Sequence, residues 1–284
     1  MPSKPLRLAV LSDLHIDCDA DPQSWELAKA AFRAAQAEGA NHIVVVGDVF
    51  DCSTAMARDQ GVVRTYLRRR GAWHRDRLTL VVGNHDIFHT AHRSDRFIEG
   101  MNIILQDAQQ MYELFCHWAG ELVDEDDRFG EYNLFPTTKL LGHVRLSCID
   151  TTETNTADST NGRVDTADIG LLSGLGEGVR HVLAMHNAPL EGRISTIKAL
   201  DGYAGGFAKT DLRRLQRLVD GAEVEAIVCG HIHNNLGDPY EWELTGGQPV
   251  YLMGRTGGVH DTTPVIGLLD VPQRGRIRWR EVEI

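Results

Sequence analysis

The chain has 284 residues, with 29 Lys plus Arg against 40 Asp plus Glu, a net charge of −11, 42% hydrophobic residues and 24% charged ones. This balance excludes a small disulfide-stapled domain, a collagen-like repeat, a transmembrane bundle and a wholly disordered chain. It also argues against a protein that grips long nucleic acid by neutralising phosphates, but it leaves a small anionic substrate open, because a local metal cluster can outweigh the global charge.

In chain order, Leu6 to Leu11 reads as a strand, and Trp25 to Glu38 reads as a helix whose apolar Trp25, Leu27, Ala28, Ala31, Phe32 and Ala35 recur at helical spacing, with Ser24 as its cap. His42 to Val46 has almost no alternation, which predicts a central strand covered on both faces. Ala57 to Arg70 follows as a helix and Leu78 to Val82 as a strand, giving the βαβ alternation of a parallel sheet. Further strands are expected at Val144–Ile149, Val179–Met185 and Val224–Cys229, with helices at Thr166–Leu175 and Asp211–Val219. Pro249–Met253, Val265–Leu269 and Ile277–Val282 leave no room for helices between them, so antiparallel pairing is expected. No polar linker divides the chain, so residues 1–284 are read as one α/β domain.

The opening segment runs straight into the first strand, which is too short for a signal-peptide core, and no run approaches the roughly 18 apolar residues of a membrane span. A cytoplasmic protein without membrane contact is expected. The five cysteines, Cys18, Cys52, Cys116, Cys148 and Cys229, form no close pair, which fits a reducing compartment, and Cys148 and Cys229 read as small core hydrophobes. Residues 151–165 and 191–207 read as loops that border a site and shape substrate choice. Asp124 to Asp127 lacks the ligand alternation of a calcium loop and reads as a solvated acidic loop. No GxGxxG follows the first strand, so a dinucleotide-binding enzyme has little support.

The ends of the strands are rich in metal-ligand side chains. Asp13 and His15 follow the first strand, Asp48 and Asp51 the second, and Asn84 and His85 the third; His186 and the His231-Ile232-His233 segment follow later strands. Because ligands bind at the carboxyl ends of strands in open α/β sheets, these clusters can converge on one crevice. Carboxylate, imidazole and carboxamide suit Mn, Fe, Zn or Co, and the candidates outnumber what one ion needs, which points to two ions. Asp13-x-His15, on a chain still extended, would present both side chains to the same ion.

Taken together, Asp13-Leu14-His15, Gly47-Asp48-Val49-Phe50-Asp51, Gly83-Asn84-His85-Asp86, His186 and Gly230-His231-Ile232-His233 resemble the ordered motifs of the calcineurin-like metallophosphoesterase superfamily. The resemblance implies a four-layer αββα sandwich of two mixed β-sheets flanked by helices. It implies that Asp13, His15, Asp48 and His233 hold one metal ion, that Asp48, Asn84, His186 and His231 hold the other, and that Asp48 bridges them, with Mn or Fe the favoured metals. His85 would meet the phosphoryl oxygen or protonate the leaving group, and Asp51 resembles the partner that orients it.

The reaction expected is in-line attack of metal-bound hydroxide on phosphorus. Cys52 stands where protein Ser/Thr phosphatases carry Arg-Gly, which argues against that branch. Chain length, the Asp-x-His opening and Gly162-Arg163-Val164 look more like bacterial cyclic-nucleotide phosphodiesterases. A small phosphodiester is therefore the expected substrate, with a phosphomonoesterase as the alternative and a nuclease or non-catalytic scaffold behind it. The protein would act as a monomer or homodimer. Arg193, Lys198, Tyr203 and Arg255 are candidates to meet a phosphate or base in the site, but each reads first as an ordinary surface or packing residue.

Overall fold

The computed structural model describes residues 5–87, 101–128, 134–152, 162–190, 206–233, 240–254, 256 and 264–284. Eleven strands are described: β1 (Leu6–Leu11), β2 (His42–Val46), β3 (Leu78–Val81), β4 (Thr137–Leu141), β5 (Val144–Cys148), β6 (Arg180–Ala184), β7 (Ala226–Cys229), β8 (Tyr240–Glu243), β9 (Pro249–Leu252), β10 (Val265–Val271) and β11 (Arg278–Glu283). The helices are α1 (Pro22–Ala37), α2 (Ser53–Arg69), α3 (Asn84–Ile87), α4 (Met101–Gly120), α5 (Thr166–Leu171) and α6 (Lys209–Gly221).

The strands form two mixed sheets, one of five in the order β11-β10-β1-β2-β3 and one of six in the order β4-β5-β6-β7-β9-β8. In the first, β1, β2 and β3 are parallel, with Leu8 opposite His42 and Ile43 opposite Leu78, while β10 runs antiparallel to β1 and β11 to β10. In the second, β5, β6, β7 and β9 are parallel, and β4 and β8 form antiparallel edges.

Alternation along the strands makes the sandwich, because successive side chains leave a strand on opposite faces. Val182 and Ala184 of β6, Ala226 and Val228 of β7, and Tyr251 of β9 join the core between the sheets, where Leu8, Val10, Val44 and Leu269 also lie. The alternate residues Leu183, Ile227, Cys229, Val250 and Leu252 face outward and pack with Leu215, Leu218 and Val219 of α6. On the other side Ala28, Ala31, Phe32 and Ala35 of α1 and Met56, Val63 and Leu67 of α2 join the core of the five-stranded sheet. The order of layers is helix, sheet, sheet, helix, as the resemblance implied.

Several expectations are corrected. Helix α1 starts at Pro22, because the Asp21 carboxylate accepts from Gln23 N at 3.2 Å and Ser24 N at 3.4 Å and a proline at the first helical position gives up no needed N–H. Ser24 instead accepts from Asp17 N at 3.1 Å. Helix α2 begins at Ser53, capped by Cys52, whose Sγ accepts from Ala55 N at 3.5 Å. Strands β10 and β11 pair antiparallel as expected, but β9 lies in the other sheet, parallel to β7, and its antiparallel partner is β8.

The elements α3, α4, β4 and β8 are additions to those expected. Helix α4 is anchored by Trp118, whose ring lies 5.3 Å from Phe50 and 5.1 Å from Trp73. The acidic residues Glu125–Asp127 form a short 3₁₀ turn, and Arg75 pairs with Asp124 and, at 2.7 Å, with Asp127.

Candidate metal centre

The loops that leave β1, β2, β3, β6 and β7 at their carboxyl ends bring the predicted residues together between the two sheets. Asp13, His15, Asp48 and His233 have one ligand atom each within 4.8 Å of one another, and so do Asp48, His186 and His231. The sets share Asp48. His233 Nε2 lies 3.1 Å from Asp13 Oδ1 and 3.1 Å from His15 Nε2. In the second set His186 Nε2 is 3.3 Å from Asp48 Oδ2, 3.2 Å from His231 Nδ1 and 3.0 Å from Asn84 Oδ1.

The backbone that presents these groups is not extended. Asp13, His15, Asp48 and His231 have φ of 51°, 45°, 50° and 73°, a left-handed region that side chains with a Cβ rarely enter and that costs about 1–3 kcal/mol per residue. The extended geometry expected for Asp13-x-His15 is thus replaced by two left-handed residues. They hold because the β1 and β2 loops continue to pair beyond the sheet: Asp13 N donates to Gly47 O at 3.2 Å, His15 N to Asp48 O at 3.1 Å and Ile16 N to Val49 O at 2.9 Å. Gly83 is equally constrained, since a Cβ there would collide with the backbone and carboxylate of Asp48.

Main-chain contacts orient the ligand atoms. A carbonyl only accepts, so the 2.8 Å contact of His186 Nδ1 with Val46 O places the proton on Nδ1 and leaves Nε2 facing the second set. His85 N donates to Asp48 Oδ1 at 2.8 Å, and His85 Nδ1 donates to Asp51 O at 2.7 Å. Asp51 therefore reaches His85 through its backbone carbonyl, whereas its carboxylate lies 3.2 Å from His15 Nδ1. The His15 and His85 rings meet edge to face, with centroids 4.5 Å apart.

Asp86, the last residue of the third motif, is fully buried, and its carboxyl oxygens accept from Phe50 N and Gly83 N, both at 2.9 Å. It staples the loops after β2 and β3 together. Burial, reinforced by the charge of Asp48, pushes this carboxyl up to about 8.

Burial and charge act in opposite directions on the rest of the cluster. Burial alone would raise Asp13 and Asp48, but the hydrogen bond and charge of His233 hold Asp13 below the usual carboxylate range, and the charges of His186 and His85 do the same for Asp48. Burial lowers His15 to about 4, against the pull of Asp51, and burial with the charge of His186 lowers His231 to about 3, so both imidazoles are neutral donors near pH 7. His186 is raised because the charge of Asp48 outweighs burial.

This donor set fits divalent cations. Asp48 Oδ2, buried and without a hydrogen bond, is flanked by imidazole nitrogens of His15 and His186. A buried carboxylate in that position calls for a cation, and carboxylate, imidazole and carboxamide together are consistent with a binuclear metal centre.

Burial and the charge of Asp59 push the Cys18 thiol up to about 11, and Cys52 serves as a helix cap, so neither has the character of a nucleophile. Cys148 and Cys229 are buried in the core, as expected. Of the two loops expected to border the site, residues 153–161 and 191–205 lie outside the described residues, as do Arg193, Lys198, Tyr203 and Arg255. Among the described residues, no helix is long and apolar enough to cross a membrane.

A family model described as calcineurin-like phosphoesterase matches residues 6–235. No curated protein matches the chain by sequence. Among solved structures, a dimetal phosphatase from Danio rerio is 13% identical with a TM-score of 0.59, over 99% of each chain. A protein of Thermus thermophilus is 12% identical with a TM-score of 0.52, also over 99% of each chain. A 5′-nucleotidase described as putative, from Staphylococcus aureus, is 14% identical with a TM-score of 0.50, over 98% of this chain and 54% of that one. These structures share the fold, and none of the comparisons ties the chain to cyclic-nucleotide phosphodiesterases.

Proposed function

The chain belongs to the calcineurin-like phosphoesterase family and is a metal-dependent phosphoric ester hydrolase; from that premise we propose that its substrate is a small phosphodiester, with cyclic nucleotides the first class to try. Asp13, His15, Asp48 and His233 would hold one ion, Asp48, Asn84, His186 and His231 the other, and Asp48 would bridge them. Bound there, the pair of cations supplies charge neutralisation at the phosphoryl oxygens and acidifies the attacking water.

The chain's own groups do the rest. The His85 side chain is held at Nδ1 by the Asp51 carbonyl and its backbone by Asp48, and in this scheme Nε2 passes a proton to the departing oxygen. Asp51, which contacts both His85 and His15, is a positioning residue in this scheme.

The observation that carries the diester reading is the set of groups around the Asp13 and Asp48 carboxylates. Among the described residues, the nitrogen groups that face the Asp13 and Asp48 carboxylates are imidazoles and backbone N–H groups, with no lysine or arginine. A diester carries one negative charge on its phosphoryl group and a monoester close to two, so a pair of carboxylates that faces no lysine or arginine among the described residues suits the diester better. The likeness to the Danio rerio protein, described as a dimetal phosphatase, and to the Staphylococcus aureus protein, described as a putative 5′-nucleotidase, favours a phosphomonoesterase as the second reading.

The deciding experiment compares metal-stripped and Mn²⁺-reloaded protein on bis(p-nitrophenyl) phosphate and p-nitrophenyl phosphate, with Asp48→Asn as control. A metal-dependent preference for the diester is expected and leads on to 2′,3′- and 3′,5′-cyclic nucleotides. Preference for the monoester would replace the diester reading with the phosphatase one.

A further inference from the structure

Thr256 lies beyond residues 6–235, the stretch matched by the family model, and no catalytic motif includes it. It follows β9 of the six-stranded sheet, yet it is wholly buried against the end of β1 in the other sheet. Its backbone N–H donates to Ser12 O at 2.9 Å, and its Oγ1 accepts from Ser12 N at 2.9 Å. Two bonds between the same pair of residues fix both peptide groups of Ser12, not merely its distance from β9.

Ser12 passes that restraint to Asp13. Its hydroxyl donates to Asp13 Oδ2, and the same oxygen accepts from His231 N at 3.0 Å. Oδ2 is thereby committed to protein donors, and Oδ1 is the oxygen turned to His233 Nε2 at 3.1 Å and His15 Nε2 at 3.9 Å. Asp13 also sits at φ 51°, a conformation that persists only when its neighbours over-determine it. Gly230, next to His231, completes the fit: a Cβ at that position would strike the Ser12 hydroxyl, so any side chain there would displace the group that holds Asp13.

We propose that Thr256 and Ser12 form a clasp between the two sheets that aims Asp13 Oδ1 into the Asp13–His15–Asp48–His233 set, making Thr256 a positioning residue for one of the two ions. The proposal rests on the two-metal reading of the clusters. It assigns a role to the segment after β9 that sequence spacing does not reveal: without the clasp the carboxylate would keep its charge but lose its direction. Groups that orient a ligand in this way typically change metal affinity by about 10–100-fold when removed.

The test measures Mn²⁺ binding to the chelator-stripped full chain by titration calorimetry, with the spin-coupled Mn²⁺ pair followed by electron paramagnetic resonance and the urea midpoint of the metal-free protein recorded alongside. Thr256→Val keeps the shape but removes the acceptor for Ser12 N, Thr256→Ser keeps the acceptor, and Ser12→Ala removes only the hydroxyl on Asp13. The wild type should bind two ions. Thr256→Val and Ser12→Ala should weaken one of them by about 10–100-fold, with loss of the coupled signal, while the other ion and Thr256→Ser stay within about threefold of the wild type.

Unchanged binding in Thr256→Val, equal weakening of both ions, or a Thr256→Ser variant as weak as the valine would overturn the clasp. Should Thr256→Val fail to fold, Ser12→Ala decides by the same criteria. A wild type that binds fewer than two ions would instead overturn the two-metal reading, and the clasp with it, before any variant is compared.

Discussion

His181 and His186 lie five positions apart along β6 and the loop that leaves it, and both are completely buried. His181 has spent both ring nitrogens on neutral partners, Nε2 at 2.7 Å from Ser147 Oγ and Nδ1 at 2.7 Å from Ala222 O. His186 spends Nδ1 on Val46 O but crowds Nε2 among Asn84, His231 and Asp48, all within 3.3 Å. Burial lowers the first imidazole, whereas the charge of Asp48 raises the second against burial. The difference teaches that burial of a histidine says little by itself. A structural histidine closes its hydrogen-bond inventory, and a ligand histidine aims one nitrogen at a point where several other donors converge.

The contrast breaks first at Asp48. Asp48→Asn should lower turnover by at least about 10³-fold and reduce bound metal, because the shared oxygen anion is lost from both sets; full metal content by elemental analysis together with normal turnover would refute the bridging assignment. His85→Ala should lower kcat by about 10²-fold while most of the metal remains, since His85 belongs to neither of the two sets that share Asp48. Loss of both ions in that variant would make His85 a ligand.

On the structural side, His181→Ala should cost about 2–4 kcal/mol in urea unfolding, leaving Ser147 Oγ and Ala222 O without their buried partner, with turnover per folded molecule unchanged. A variant that loses activity without losing stability would erase the distinction between the two histidines.

A second structural group sharpens it by pH. Lys139 on β4 donates to Leu78 O at 2.8 Å and Arg75 O at 3.2 Å, and burial lowers it from 10.5 to about 8. Between those values the unfolded chain binds a proton that the folded chain has released, so this group's destabilisation is complete below about 8 and fades as pH rises toward 10.5. Its contribution to stability should therefore rise by on the order of 3 kcal/mol across that window, and Lys139→Met should flatten the rise in chemical denaturation. The smallest effect is expected of Cys52→Ser, which exchanges one capping atom for a better one, gains a few tenths of a kcal/mol in thermal melts and leaves turnover within about twofold.

Sequence by itself determined the alternating strands and helices of the first third, because β2 carries an unbroken apolar run from Ile43 to Val46 and α1 keeps its apolar side chains on one face. It also determined which side chains meet, since loops that leave parallel strands at their carboxyl ends must share one edge of the sheets. Helix α4 escaped because it follows residues with no clear start signal, and β9 was given the wrong neighbours because four apolar residues carry no record of which sheet they join. Only the tertiary structure decided that Asp13, His15, Asp48 and His231 adopt left-handed backbone, that Asp51 meets His85 through a carbonyl, and that Thr256 reaches across to Ser12. Those features depend on contacts between residues up to 244 positions apart, and no local periodicity encodes a bond whose partner belongs to another sheet.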